Sequence, residues 1–366
     1  MIIENIETFL VRIPFDTGST NRDLGGKGWS TLDYVFIRID TDAGISGWGD
    51  AFGYGAAAAT KAAVDHMIAP ALIGADAGNI NAIHDRLQRD NHLFGRYGVT
   101  MFAISGIDIA LWDLAGKAAG LPLHRLLGGQ VRDSLPAYAS FFRYGDPEQV
   151  AAATTRAVNE GYQHIKLHEV RISEVASCRQ TGGDDIAIML DVNCPWRYDE
   201  ALDMARKLAD YNLYWFEEPV FPPEDYQTLA RLQREGGIAL AAGENACTAF
   251  EFARMFEAGA VTYAQPSVTK VGGISQFQRI LACAETAGVQ VMPHSPYFGP
   301  GFMATLHLAA AMRDDSLIEY FYLTPEAMPM GDWTIPQDAS FRIPQGPGLG
   351  CDPDPDVLKD YTTTDF

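Results

Sequence analysis

The sequence predicts an α/β protein built around a (β/α)8 barrel of the TIM type, with an N-terminal α+β domain in front of it. Three observations lead to this prediction. The chain has 366 residues, enough for one large and one smaller domain. Its first third places strands before helices, whereas from about residue 134 short apolar runs alternate regularly with amphipathic stretches.

Residues 1–130 are predicted to form the N-terminal domain, because their order of strands and helices differs from that of the rest of the chain. Residues 3–13 and 34–39 alternate like antiparallel strands. Between them, residues 16–29 are rich in Gly, Asn, Asp and Ser and predict a long mobile loop. Helical periodicity follows at residues 56–72, 79–93 and 98–119.

The barrel is predicted over residues 131–325, followed by a Pro- and Gly-rich tail, 326–366, that returns to the N-terminal domain. A doubly wound sheet is the alternative for the same alternation. The expected strands cover residues 135–140, 162–167, 186–191, 213–217, 238–243, 261–265, 289–293 and 316–319.

The net charge and the cysteine content limit the partners that the protein is expected to bind and the compartment in which it is expected. The net charge of −20 argues against nucleic acid and against an anionic membrane, since both require a basic surface. The five cysteines are scattered without a CxxC motif, so they indicate neither a zinc site nor a disulfide framework. The N-terminus lacks the pattern of a signal peptide, and a cytoplasmic location is therefore expected.

Six polar residues stand at the ends of predicted barrel strands. Neighbouring members are 25 to 27 residues apart, or 50 where one strand is skipped. One βα repeat has this length, so all six are expected at one rim of the barrel, where the active sites of such barrels lie. They are Lys166, Asp191, Glu217, Glu244, His294 and Glu319.

Three of these residues, Asp191, Glu217 and Glu244, would follow consecutive strands. Converging carboxylates repel one another unless a cation lies between them. An all-oxygen set with room for water favours a hard cation, and Mg²⁺ is the predicted cofactor.

The remaining residues suit proton transfer at a carbon next to a carboxylate. Lys166 and His168 project to the same side of the second strand, and His294 would approach from the opposite side. Either Lys166 or His168 could be the base. Glu319, if protonated, could donate a hydrogen bond to the substrate. Asn193 and Asn245 could bind substrate hydroxyls or orient loops.

Several motifs together resemble the enolase superfamily, and in particular its mandelate racemase/muconate lactonizing enzyme family. The resemblance covers nearly the whole chain. Its motifs are LDVN (190–193), FEEP (216–219), AGEN (242–245), GYQHIKLH (161–168), FAISGIDIALWDLAGKAAGLPLHRLLGG (102–129), GISGWGD (44–50) and PGLG (347–350).

This resemblance implies a capping domain whose loops, about 16–29 and 51–55, close over the barrel and set specificity. Arg22, Trp29 and Tyr54 on these loops become candidate substrate-binding residues. The mandelate-racemase-like subgroup is favoured, and many of its members dehydrate acid sugars to 2-keto-3-deoxy acids. Others are racemases, epimerases or cycloisomerases, and homo-oligomers are usual.

The sequence departs from the family pattern at two positions. His168 replaces the second lysine of a KxK motif. Ser267 replaces the sixth-strand aspartate that would partner His294. These departures leave the role of His294 open, and they keep a non-catalytic carboxylate-binding protein as a further alternative.

Overall fold

The computed structural model describes residues 1–19, 23–24, 27–313 and 315–364. Its N-terminal module begins with an antiparallel sheet in which β4 lies between β1 and β5, while β2 pairs with β3. The strands are β1 (Ile3–Asp16), β2 (Asp23–Leu24), β3 (Lys27–Gly28), β4 (Thr31–Thr41) and β5 (Ser46–Ala51). The expected long loop over 16–29 is therefore wrong in part, because β1 extends into it and a short hairpin pairs its backbone.

The helices of this module are α1 (Ala57–Ala63), α2 (Ile80–Asp90), α3 (Val99–Ala119) and α4 (Leu123–Leu126). Helical periodicity was expected over 56–72. In the structure α1 covers only the first part of this range, and the chain then continues as a π turn, Val64–Ile68, and a 3₁₀ turn, Ala69–Ala71. Pro70 lies in the last turn and has no N–H to continue the α-helical hydrogen bonds. By length and composition α3 could cross a membrane, but most of it is buried within the protein.

Close packing of β5 on α3 depends on glycine. A Cβ at Gly49 would lie 1.9 Å from the Gly106 carbonyl oxygen, so no larger residue fits there. Asp113 on α3 then joins three segments: it accepts hydrogen bonds from the backbone N–H groups of Trp48 and Leu349, each at 2.8 Å, and pairs with Lys117. The C-terminal tail is thereby held on the N-terminal module.

The barrel strands are parallel and match the expected positions, which confirms the fold class. From β6 to β12 each strand pairs with the next one along the chain, and β13 pairs with β6. The strands are β6 (Leu135–Ser140), β7 (His164–Leu167), β8 (Ala187–Asp191), β9 (Leu213–Glu217), β10 (Leu240–Ala242), β11 (Tyr263–Ala264), β12 (Gln290–Val291) and β13 (Ile318–Phe321).

Helices cover the outside of these strands, and the last segments of the chain return to the N-terminal sheet. The helices are α5 (Pro147–Asn159), α6 (Ile172–Gly182), α7 (Tyr198–Leu208), α8 (Tyr226–Glu235), α9 (Thr248–Glu257), α10 (Gly273–Ala287) and α11 (Pro300–Ala311). After them come β14 (Thr324–Pro325), which pairs with β1, β15 (Ser340–Phe341), which pairs with β6, and α12 (Pro355–Tyr361).

The barrel interior is filled below its carboxyl end. A buried cluster joins Tyr138, Met189, Trp215, Ala241, Met292 and Leu317. The Tyr138 and Trp215 rings meet edge to face with centroids 5.7 Å apart. Because this floor excludes water from below, polar groups at the carboxyl ends of the strands are reached from the N-terminal module's side.

The module is held over the barrel by buried polar contacts. Asp108 on α3 accepts hydrogen bonds from the Ser275 N–H (2.9 Å) and hydroxyl (2.6 Å) at the start of α10. Trp112 donates to the same hydroxyl at 3.0 Å, and Ser105 accepts the Gly272 N–H at 2.8 Å. These bonds fix the module beside the sixth barrel strand.

A buried histidine pair, His124 and His307, leads to a prediction of acid sensitivity. The backbone N–H of His124 donates to Nδ1 of His307 (3.3 Å), and the two Nδ1 atoms are 3.1 Å apart. Burial lowers the pKa of His307 to about 3, so the folded state keeps it neutral whereas the unfolded state protonates it near pH 6.5. Its contribution to stability is present above pH 6.5 and is lost as the pH falls, at up to about 1.4 kcal/mol per pH unit.

We expect His307→Gln to flatten the fall in unfolding free energy between pH 7 and pH 5, since glutamine does not titrate. Urea unfolding at several pH values measures this slope. His92→Gln, at an exposed histidine, is the matched control and should leave the slope unchanged. Equal slopes for wild type and His307→Gln would contradict the assignment.

Candidate active site

The three carboxylates at the ends of β8, β9 and β10 converge at the barrel mouth. Ligand oxygens of Asp191, Glu217 and Glu244 all lie within 4.8 Å of one another. Asp191 and Glu217 are almost fully buried, whereas Glu244 is partly open to the mouth. Three carboxylates at this separation, with one open side, form a donor set that fits a hard divalent cation such as Mg²⁺.

The electrostatics of the trio also favour a cation. Burial, together with the neighbouring Asp191 carboxylate, raises the pKa of Glu217 well above its ordinary value. Burial would raise the pKa of Asp191 as well, but the hydrogen bond with His168, and the positive charge of that ring whenever it is protonated, lower it. Like-charge crowding of this kind is relieved when a cation binds between the oxygens.

Lys166 lies beneath the trio as a buried cation. Its Nζ is 2.8 Å from Glu319 Oε1, 3.1 Å from Glu217 Oε1 and 3.8 Å from Asp191 Oδ2. Burial acts to lower the pKa of Lys166, but the surrounding carboxylates, Glu217 first, raise it well above the usual value. Lys166 is therefore a fixed positive charge and is poorly suited to accept a proton.

Glu319 is an ionised acceptor. Its Oε1 accepts from the Ser140 hydroxyl (2.8 Å) and meets Lys166, while Oε2 accepts the Ser295 N–H at 3.1 Å. Burial would raise the pKa of Glu319, but the Lys166 charge lowers it. In this arrangement Glu319 accepts hydrogen bonds from its nearest neighbours, and donation of a hydrogen bond to the substrate by a protonated Glu319 stays a prediction.

His168 stands on the β7 side of the trio, two residues after Lys166. Its Nδ1 donates to the Phe141 carbonyl oxygen at 2.5 Å, which fixes the ring. Its Nε2 is 3.3 Å from Asp191 Oδ2 and is the nitrogen that faces the mouth. A proton can therefore be taken up or released at Nε2 beside the metal ligands.

His294 approaches the trio from the other side, after β12. Its Nε2 lies 2.8 Å from Glu244 Oε2 and its Nδ1 lies 3.2 Å from the Tyr297 hydroxyl. Burial would raise the pKa of Glu244, but the His294 charge and hydrogen bond lower it strongly. His168 therefore lies beside Asp191 and His294 beside Glu244, which are two different carboxylates of the trio.

The two candidate asparagines have different surroundings. The Asn193 N–H donates to Asp191 Oδ1 at 2.9 Å, and its side-chain oxygen accepts from Arg143 at 3.3 Å. Asn245 donates to Glu218 Oε2 at 2.7 Å. Both side chains are engaged with the protein, which favours the interpretation that they orient loops and ligands.

Of the candidates on the capping loops, Trp29 and Tyr54 pack together with ring centroids 5.0 Å apart. Trp29 donates to the Thr31 carbonyl (2.6 Å), and Tyr54 donates to the Pro296 carbonyl (2.6 Å), just beyond His294. They form an aromatic wall that links the N-terminal module to the seventh strand end. Arg22 lies outside the described residues.

Sequence reasoning missed several residues that border the site. Arg143, which follows β6, donates to the His168 carbonyl at 2.6 Å and so joins the first three strand ends. Burial and the neighbouring Glu244 raise the pKa of Glu218 to about 8. Lys270 is almost buried, with its Nζ 4.9 Å from the Phe52 ring centroid. An arginine three residues after a strand end was the available signal for Arg143, whereas Tyr297 had none.

The sequence matches two protein-family models. One is described as "Mandelate racemase / muconate lactonizing enzyme, N-terminal domain" and matches residues 22–128. The other is described as "Enolase C-terminal domain-like" and matches residues 149–357.

Individual relatives and solved structures carry the names of a cycloisomerase, a dehydratase and a racemase. The chain is 34% identical to a 3,6-anhydro-alpha-L-galactonate cycloisomerase from Streptomyces coelicolor, covering 95% of this chain and 96% of the relative. It is 32% identical to a D-galactonate dehydratase from Ralstonia pickettii, covering 88% and 89%. A solved Streptomyces coelicolor racemase with bound magnesium is 29% identical, with a TM-score of 0.87 and coverage of 99% and 100%.

Proposed function

Because the chain belongs to the mandelate racemase/muconate lactonizing enzyme family of the enolase superfamily, we propose that it dehydrates an acid sugar. The substrate would be an aldonate or aldarate, and the product a 2-keto-3-deoxy acid. The observation that carries this proposal is the carboxylate trio with a histidine on either side of it.

Asp191, Glu217 and Glu244 would hold Mg²⁺, and the bound magnesium in the related racemase supports this choice of ion. When bound, Mg²⁺ supplies positive charge that stabilises the negative charge developing on the substrate carboxylate. Lys166 adds a second, permanent positive charge from beneath. Both make the carbon next to the carboxylate more acidic.

His168 is the proposed base. Its Nε2 takes the α-proton, and the C–H electron pair moves into the carbonyl system to give an enediolate. Lys166 is the alternative base from sequence, but its ion pairs keep it protonated. Fixing His168 Nδ1 on the Phe141 carbonyl leaves Nε2 as the site of proton transfer.

His294 is the proposed acid. It gives a proton to the β-hydroxyl as the C–O bond breaks, water leaves, and the resulting enol tautomerises to the 2-keto-3-deoxy acid. The cycloisomerase relative favours a second candidate, in which the same first step leads to ring opening and no water is released. Binding of substrate hydroxyls by Arg22, Trp29 and Tyr54, assembly as a homo-oligomer and a cytoplasmic location stay predictions.

A substrate panel tests the reaction type. The purified protein with Mg²⁺ is incubated with aldonates, aldarates and anhydro-sugar acids, and products are trapped as semicarbazones and identified by mass. A product lighter than its substrate by one water is expected for at least one acid sugar. An isomeric product of equal mass would favour the cycloisomerase, and no conversion of any compound would overturn both.

A further inference from the structure

A cavity of about 660 Å³ lies on the outer side of the barrel. Four segments enclose it: α5, the run from β13 to β14, the end of β1 and the tail before β15. Among the described residues that line it, none is assigned to the active site. Small-molecule sites usually have volumes of roughly 300–1,000 Å³, so this cavity has the size of a ligand site.

Three tyrosine rings form one wall of this cavity. Tyr320 follows Glu319 on β13, and successive side chains of a strand point to opposite faces, so the Tyr320 ring points out of the barrel. The Tyr162 and Tyr320 rings are nearly parallel, at 8°, with centroids 6.4 Å apart. The Tyr322 ring stands perpendicular to both, at 86° and 84°. The cavity therefore has a closely packed aromatic wall.

The Tyr162 hydroxyl is available for a hydrogen bond. The residue is only 4% exposed, and within the described parts of the chain its hydroxyl has no hydrogen-bond partner. Burial raises the pKa of Tyr162, and the groups that raise it further, Tyr320, Glu160 and Tyr322, all line the cavity. The hydroxyl therefore faces the cavity. Since buried hydroxyls are normally paired, a ligand is the expected partner.

The charged side chains of the cavity are held apart from one another. Tyr322 donates to Glu160 Oε2 at 2.8 Å. Arg156, on α5, forms no ion pair with any of the three carboxylates that line the cavity, Asp16, Glu160 and Asp338. Hydrogen-bond donors and acceptors are thus offered at separate points. Because three carboxylates face one guanidinium, the local field disfavours an anionic ligand.

These features fit an uncharged sugar in its ring form. The C–H groups on one face of a pyranose ring pack well on an aromatic ring, whose face carries negative charge. Every sugar hydroxyl both donates and accepts, so it needs a mixed set of partners such as carboxylate, guanidinium and phenol. The excess of carboxylates separates this ligand from the acid sugar proposed as substrate.

We propose that this cavity is a second binding site, which binds an uncharged pyranose sugar on its tyrosine wall and holds the sugar hydroxyls through Tyr162, Glu160 and Arg156. The site shares no residue with the carboxylate trio. The proposal therefore goes beyond the proposed function and can be tested without turnover.

Saturation-transfer NMR of the full-length protein tests the binding. The probes are methyl α-glucopyranoside, methyl β-galactopyranoside and methyl β-xylopyranoside, and titration gives the Kd. We expect transfer to the ring protons of at least one probe. Tyr162→Phe and Glu160→Ala should each weaken its binding by roughly tenfold or more, since each removes a hydrogen bond. Tyr162→Phe should keep the wild-type Tm, because the hydroxyl that it removes has no partner in the free protein.

Two control variants locate the bound sugar. Tyr214→Phe removes a tyrosine hydroxyl that does not line the cavity, and Asp191→Asn alters the carboxylate trio. Both should bind the probe with the wild-type Kd. Absence of transfer to all three probes would overturn the proposal. Binding that Tyr162→Phe and Glu160→Ala leave unchanged, or that Asp191→Asn weakens, would also overturn it, because the sugar would then lie elsewhere.

Discussion

Asp191→Asn is expected to lower kcat/KM by at least about 10³-fold, which corresponds to roughly 4 kcal/mol of lost transition-state stabilisation. Asparagine keeps the size of the side chain but removes one of the three anionic ligands of the trio. It also removes the carboxylate that His168 Nε2 and the Asn193 N–H contact. Steady-state kinetics and calorimetric titration with Mg²⁺ measure the two consequences.

Two comparisons make the Asp191→Asn result interpretable. Asp203→Asn, at an exposed aspartate paired with Lys207 on α7, should leave both turnover and Mg²⁺ affinity unchanged. A thermal melt of Asp191→Asn establishes that the fold survives. Wild-type turnover in Asp191→Asn would contradict the assignment of Asp191 as a metal ligand.

His168→Gln should reduce α-proton exchange by roughly 10²–10⁴-fold, the usual contribution of a general base. Glutamine can keep a hydrogen bond to the Phe141 carbonyl but cannot carry a proton away. Mg²⁺ affinity should change little, since Asp191, Glu217 and Glu244 are intact. Exchange is followed by proton NMR in D₂O.

The control for this variant is His164→Gln, at the opposite end of the same strand, β7, where the ring packs on Tyr214. It should exchange at the wild-type rate. Rapid exchange by His168→Gln would assign the base to Lys166 instead. Such a result would require the Lys166 ion pairs with Glu217 and Glu319 to open when substrate binds.

Much of the barrel could be predicted from sequence, because its apolar strands and the polar residues at their ends recur at a regular spacing. Apolar runs spaced by about 25 residues predict strands of one sheet, and a carboxylate after each of three runs predicts convergence. Asp191, Glu217 and Glu244 therefore meet where the spacing predicted. The short hairpin in the N-terminal loop could not be predicted. Its paired strands, Asp23–Leu24 and Lys27–Gly28, have two residues each and are too short to show hydrophobic alternation.

What each site residue does depends on contacts between residues far apart in the chain. Sequence alone left open whether Glu319 is protonated, whereas the structure places it against Lys166, which is 153 residues earlier and whose charge lowers the pKa of Glu319. The absence of an aspartate at position 267 was visible from sequence. The contact of the Tyr297 hydroxyl with both Ser267 and His294 was not, because nothing in the local sequence places Tyr297 between them.

The most direct test of the central claim is proton NMR of the wild-type enzyme and an accepted acid sugar in D₂O, with Mg²⁺ and again after chelation. The account predicts that the α-proton signal disappears as the deoxy methylene signal grows, and that both changes stop when the metal is removed. Undiminished conversion after chelation, or a product that keeps the original α-proton, would contradict metal-assisted proton abstraction at this site.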